Sequence, residues 1–134
     1  MNRIDSVLGR YEGYGNWYDS AGKTMSYRVT QENRVTNGGF EFRFKHDFDD
    51  GSATEAQFEM SWIAPFIFRL DMGGKDAGRG YCIADSCHYY LKAGDAFVEV
   101  SCRPTPDGLE VNGSSTKNAD GNYIAWHETL KRLQ

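Results

Sequence analysis

Two ordinary residues followed by glycine recur along this chain: Ser20-Ala21-Gly22, Asp49-Asp50-Gly51, Lys92-Ala93-Gly94, Pro106-Asp107-Gly108 and Ala119-Asp120-Gly121, with Asn37-Gly38-Gly39 a near relative. Glycine in the third place closes a type I turn in the left-handed region, which a three-residue β-hairpin loop requires. Between these turns lie segments of about seven to twelve residues that alternate in polarity and are rich in Tyr, Phe, Val and Thr, as strands are. Ala64-Pro65 and the glycine-rich Gly73–Gly80 segment supply further connections. The pattern predicts an all-β chain of about nine to ten strands in an up-and-down antiparallel meander. An open meander of that length leaves two unpaired edges, so closure into a single β-barrel is expected. Only Asn2 to Leu8 offers a short helical turn, and with no internal repeat or linker residues 1–134 read as one barrel domain.

The loop type also fixes which side chains share a face, because partners across a three-residue loop have the same parity. Around Gly51 the rule sets Phe40, Phe42, Phe44, His46 and Phe48 over Thr54, Ala56, Phe58, Met60 and Trp62. Glu41, Arg43 and Lys45 then share the other face with Glu55, Gln57 and Glu59, so apolar meets apolar and charge meets opposite charge. Around Gly22, Tyr11, Gly13, Gly15 and Trp17 face Met25, Tyr27 and Val29. Carried forward, the rule turns inward Phe66, Phe68, Leu70 and Met72, then Cys82, Ala84, Ser86, His88 and Tyr90, then Val98, Val100 and Cys102. Asn112, Ser114 and Thr116 follow, and finally Ile124, Trp126, Glu128, Leu130 and Arg132.

Such an interior is half aromatic and half polar. A closed barrel of this size can enclose one small ligand, and buried polar groups call for partners that a bound molecule can supply. The same rule sends Tyr81, Ile83, Tyr89, Leu91, Phe97, Val111 and Tyr123 outward. That apolar patch on the last strands is either a homodimer interface or the sign that one or more strands flip, in which case His88 and Glu128 leave the cavity.

Bulk properties exclude several classes. The formal charge of -4 argues against a general nucleic-acid binder. No run approaches the roughly 18 apolar residues of a membrane-spanning helix, and the first residues lack a secretory h-region. Cys82, Cys87 and Cys102 make an odd count with no CxxC pair. They read as reduced thiols of a cytoplasmic protein, and no metal site is expected.

The opening Leu8-Gly9-Arg10-Tyr11-Glu12-Gly13-Tyr14-Gly15 and the ending Trp126-His127-Glu128-Thr129-Leu130-Lys131-Arg132 resemble the first and last strands of the calycin superfamily. They are especially similar to the small intracellular nitrobindin-like and fatty-acid-binding-protein-like, lipocalin-like barrels. Tyr11 stands where that family has tryptophan. The resemblance implies a closed barrel that binds a small hydrophobic molecule or haem, with Arg132 packing over Tyr11 as a structural closure. Nitrobindin-like members ligate haem through a last-strand histidine; His127 is the candidate there, but its odd parity points it outward.

The expected function is therefore a binding module for a small hydrophobic or amphipathic molecule, largely apolar with a polar end. Its candidate ligand contacts are Tyr27, Phe44, His46, Phe58, Trp62, His88, Tyr90, Asn112 and Glu128. His46, three residues before the Asp49 loop, belongs at the barrel mouth, as a rim histidine or as a polar anchor. A barrel enzyme is the alternative: His88 and Glu128, buried together, would form an acid–base pair for an isomerase- or cyclase-type proton transfer. Gly73–Gly80 is expected to be a loop at the cavity mouth, since it precedes a strand and offers no helix N-terminus to a phosphate.

Overall fold

A computed structural model describes residues 4–117 and 120–134 and shows ten antiparallel strands closed into a barrel. In chain order they are β1 (Gly9–Asp19), β2 (Thr24–Thr36), β3 (Gly39–Phe48), β4 (Ala53–Ala64), β5 (Ile67–Met72), β6 (Lys75–Ile83), β7 (Ser86–Ala93), β8 (Ala96–Pro104), β9 (Gly108–Ser115) and β10 (Ile124–Arg132). Each strand pairs with its sequence neighbours, and β1 pairs with β10 to close the cylinder. A 3₁₀ turn, Ile4–Ser6, precedes β1. Asn2, the start of the expected helical turn, and Ala119, the start of the last expected loop, lie outside the described residues. Among the described residues, no helix is long and apolar enough to cross a membrane.

Three-residue loops occur where the motif predicts them at Gly22 and Gly51, both with φ +89°. There the Asp19 and Phe48 amides donate to the Lys23 and Ser52 carbonyls. Facing partners consequently keep one parity, as in Phe42 opposite Phe58.

Four later corners depart from the rule. Ala84-Asp85 and Gly94-Asp95 are two-residue turns, because Ile83 pairs with Ser86 and Ala93 with Ala96. Four residues join Pro104 to Leu109, and Gly108 is not among the glycines with positive φ. Across the final connection Ser115 pairs with Ile124. An even-length loop makes facing partners differ in parity, so each of these corners switches the inward set from even to odd or back. On β7, Cys87, Tyr89 and Leu91 are buried; on β9, Leu109 and Val111 are. The strands β8 and β10 return to the even set, with Val100, Cys102, Glu128 and Leu130 buried.

These switches correct several expectations. His88, Tyr90 and Asn112 face outward, whereas Glu128 stays inside because the switches cancel in pairs. Tyr89, Leu91 and Val111 leave the outer apolar patch, while Tyr81, Ile83, Phe97 and Tyr123 remain exposed. Strand flipping, one of the two readings of that patch, is thus what happens on β7 and β9. Phe66 lies in the β4–β5 turn and is exposed. The Gly73–Gly80 segment is a tight turn at Gly73-Gly74 followed directly by β6, not a mouth loop. The two-residue corner also sets Cys82 opposite Cys87, and the two form a disulfide instead of remaining free thiols. Cys102 is free and buried.

One end of the barrel is sealed. Ile4 and Val7 are buried beneath it, and Asn33 Nδ2 donates to the Val7 carbonyl at 2.8 Å. Tyr11 donates from its hydroxyl to the same carbonyl at 3.1 Å. Arg132 lies over the Tyr11 ring at 5.0 Å and donates to the Leu8 and Ser6 carbonyls, so the last strand grips the segment that plugs the end. Above the plug, Phe40, Trp62 and Phe68 pack with centroids 5.1–5.9 Å apart. Full burial of a large apolar side chain contributes about 1.5–3 kcal/mol, which makes this pole the thermodynamic core.

Candidate functional site

Toward the other end the barrel is hollow. A cavity of about 170 Å³ is walled by Phe42, Phe44 and Phe58 on one side and by Tyr89, Leu91, Val98, Val100, Cys102, Val111 and Trp126 on the other. Gln31, Met72 and Ala93 complete the lining, and His46 and Glu128 bring an imidazole and a carboxyl to it beside the Tyr89 phenol and the Cys102 thiol. The walls follow from strand alternation: β3 and β4 deliver aromatic rings, whereas β7, β8 and β9 deliver mostly shorter side chains. That size mismatch leaves the space.

Glu128 is 3% exposed. Tyr27, on β2, donates from its hydroxyl to Glu128 Oε2 at 2.8 Å, and His46 Nε2 lies 3.3 Å from the same oxygen. The Tyr27 ring crosses Gly15 on β1 so closely that any side chain there would collide with it. His46 sits between the rings of Tyr27 and Phe44, at 4.6 and 5.0 Å. It keeps partial solvent access, with 17% of its side chain exposed.

Burial governs the charge state of this trio. It pushes the Glu128 carboxyl up from 4.5 to about 7, against the lowering effect of the Tyr27 hydrogen bond. It pushes the His46 imidazole down from 6.5 to about 4, against the raising effect of Asp47. Tyr27 is raised well beyond the ordinary phenol range by burial first, then by the Glu128 charge and hydrogen bond. A short His–Glu contact suggests an ion pair, but both shifts favour the neutral forms near and below neutral pH. We therefore read the contact as an imidazole and a carboxyl sharing one proton. The Cys102 thiol, also on the wall, is raised to about 12 by burial and the Glu128 charge, which makes it a poor nucleophile.

The structure brings together Phe44, His46, Phe58 and Glu128 on the cavity wall, with Tyr27 directly behind Glu128. Trp62 belongs to the sealed core instead. His88 bonds Ser101 at 2.8 Å on the outer face and cannot reach Glu128 to form the expected acid–base pair. Asn112 is also outside and lies within hydrogen-bond distance of His127, at 2.7 Å. His127 therefore faces away from the interior and stands 3.8 Å from Glu110, an arrangement that does not fit haem ligation. Sequence reasoning missed Tyr89, Leu91 and Val111 as wall residues; their apolar character was legible, but their face was not.

A broader depression of about 740 Å³ spans β1 to β4. Its rim mixes Arg10, Arg43 and Lys45 with Glu32 and Glu55, so neither an apolar wall nor one sign of charge dominates. The interior cavity, with its mostly apolar wall, is the better candidate.

Fold and site thus define a closed antiparallel barrel with an apolar internal cavity that carries one buried carboxyl group. A scan against protein-family profiles and a search among curated proteins find no match. Solved structures do resemble it. The S-type phycobiliprotein lyase CPES of Guillardia theta superposes with TM-score 0.75 at 9% identity, over 98% of this chain and 90% of that one. A Nostoc punctiforme protein of unknown function from the DUF3598 family gives TM-score 0.69 at 14% identity, over 97% of this chain but only 49% of its own length. A de novo designed fluorescence-activating β-barrel gives TM-score 0.51 at 20% identity, over 99% of both chains. At these identities the likeness concerns the fold.

Proposed function

We propose that this protein is a calycin-like binding barrel for a small, largely apolar molecule with a polar end. The observation that carries the reading is the Tyr27–Glu128–His46 trio set into the wall of an otherwise apolar cavity. The neighbours add support, since one is a phycobiliprotein lyase by name and another a barrel designed to activate fluorescence. The walls Phe44 and Phe58 supply apolar contact, and Glu128 and His46 orient the polar end.

Native mass spectrometry of protein taken gently from its host tests this. A bound small molecule is expected, and Val100→Trp, which fills the cavity, should release it. An adduct that survives in Val100→Trp, or a protein that arrives empty and ignores neutral single-ring probes such as toluene or phenol, would overturn the reading.

A second reading keeps the same pocket but makes it catalytic, with His46 in place of His88 as the partner of Glu128. The carboxyl held at about 7 favours it, because a group titrating near working pH can both give and take a proton. Glu128→Gln separates the two, since it should abolish turnover in an enzyme while leaving an apolar ligand bound in a carrier.

A further inference from the structure

The cavity has one acid and no fixed cation. Among the described residues, Glu128 is the only carboxylate on its wall, and no lysine or arginine lines it. Arg132, the last-strand arginine, is committed to the Leu8 and Ser6 carbonyls at the sealed end. Both contacts to Glu128 fall on Oε2. Its Oε1 has no hydrogen-bond partner among the described residues, and no side-chain polar atom there is both fully buried and unpartnered. Oε1 must therefore look onto the cavity.

Above about pH 7, where Glu128 is ionised and His46 neutral, an anionic head group placed there would meet a negative charge with no compensating positive one, at a large desolvation cost. A cationic nitrogen would instead gain a charge-assisted hydrogen bond to Oε1, and the aromatic walls would favour it further through their ring faces. Size sets a second limit. A cavity near 150 Å³ holds about one benzene, so the 170 Å³ seen here suits a single-ring molecule better than a macrocycle or a long acyl chain.

We infer, resting on the binding reading above, that the ligand is a compact aromatic or alicyclic molecule carrying a basic nitrogen, an amine or amidine, seated on Glu128 Oε1. Fatty-acid carboxylates, which the calycin resemblance would suggest, are selected against.

Three probes of nearly equal shape and different charge test this: benzamidine, benzamide and benzoate. Binding is followed in the wild-type protein at pH 8, where Glu128 is ionised, by NMR shifts of the Val100 and Val111 amides. Benzamidine should bind at least about tenfold more tightly than benzoate, a difference of ~1.4 kcal/mol, with benzamide between them. In Glu128→Gln, verified as folded by circular dichroism, the ranking should collapse to within about twofold. Benzoate binding as well as benzamidine in the wild type overturns the inference but leaves the binding reading standing, because the cavity then takes small rings without charge preference. A benzamidine preference that persists in Glu128→Gln also overturns it. If none of the three shifts the cavity amides, the binding reading fails and this inference fails with it. The wild-type series decides the matter even if Glu128→Gln does not fold.

Discussion

The sealed and hollow poles of this barrel are built by the same strands, yet they differ in what fills them. On β3, Phe40 is fully buried above the plug, whereas Phe44, two inward positions further on, stands at the edge of an empty volume. At the sealed pole Phe40 meets Trp62 and Phe68, and the Ile4–Ser6 turn closes the floor. At the hollow pole it is Val98, Val100 and Ala93 that stand across the barrel. Short side chains facing long ones leave a gap that the backbone, fixed by its hydrogen-bond ladder, cannot collapse to fill. The polar trio lies where packing is incomplete, which suggests that stability and site are divided between the two ends.

The most damaging way to probe that division is to truncate a ring at each pole. Phe40→Ala should cost about 3–5 kcal/mol, because a fully packed site relaxes little around the void. Phe44→Ala should cost less than half of that, since one side of its ring already faces space. Urea denaturation of the two variants measures both. Equal losses would show that the poles share one core and that the division does not exist.

A smaller effect concerns the buried trio at the hollow pole. Glu128 moves from 4.5 to about 7 on folding, so between those values the native state holds a proton that the unfolded chain has released, and stability falls as pH rises. His46 moves from 6.5 to about 4, so between those values the unfolded chain holds the extra proton, and stability rises with pH. The two slopes oppose each other, which predicts a nearly flat profile for the wild type from pH 4.5 to 6.5. Single substitutions should unmask them. A tenfold change in proton affinity on folding is worth ~1.4 kcal/mol. His46→Asn therefore leaves the Glu128 slope, a loss of about 3 kcal/mol from pH 4.5 to 7. Glu128→Gln leaves the His46 slope, a comparable gain from pH 4 to 6.5. Thermal melts across this range check both signs. Parallel profiles in the two variants would mean that neither group is held as described.

Much of this architecture was legible in the sequence. The glycine-closed loops at Gly22 and Gly51 disclosed both strand pairing and facing residues, and β1 to β5 follow them apart from Phe66. The second half was legible as strands but not as faces. Lys92-Ala93-Gly94 has the same spelling as the earlier loops, yet the turn sits one residue later, on Gly94-Asp95. Loop length depends on how the strands entering and leaving the corner are held, and a local motif does not record that. Glu128 was placed correctly and His88 was not, for the same reason: the four unanticipated switches all precede β10 and cancel, whereas one alone precedes β7.

The corner that begins this divergence offers the finest test. Ala84 adopts φ +58°, the one non-glycine residue among those described in the left-handed region. An L-residue there incurs roughly 1–2 kcal/mol from its Cβ against the following carbonyl. Glycine removes that strain but adds about 0.5–1 kcal/mol of unfolded-chain freedom to be lost on folding. Ala84→Gly should therefore stabilise the protein slightly, by ~0.5 kcal/mol. Ala84→Val should destabilise it, because β-branching sharpens the clash. Inserting one glycine after Ala84 probes the register directly, since a three-residue loop could restore the same-parity pairing and turn His88 inward. If the two-residue corner is what dictates the face of β7, the insertion must either break the Cys82–Cys87 bond, seen as three alkylatable thiols where the parent has one, or be absorbed as a bulge with both cysteines still paired. A parent protein that already yields three thiols without reductant would mean that the corner does not hold the two cysteines together.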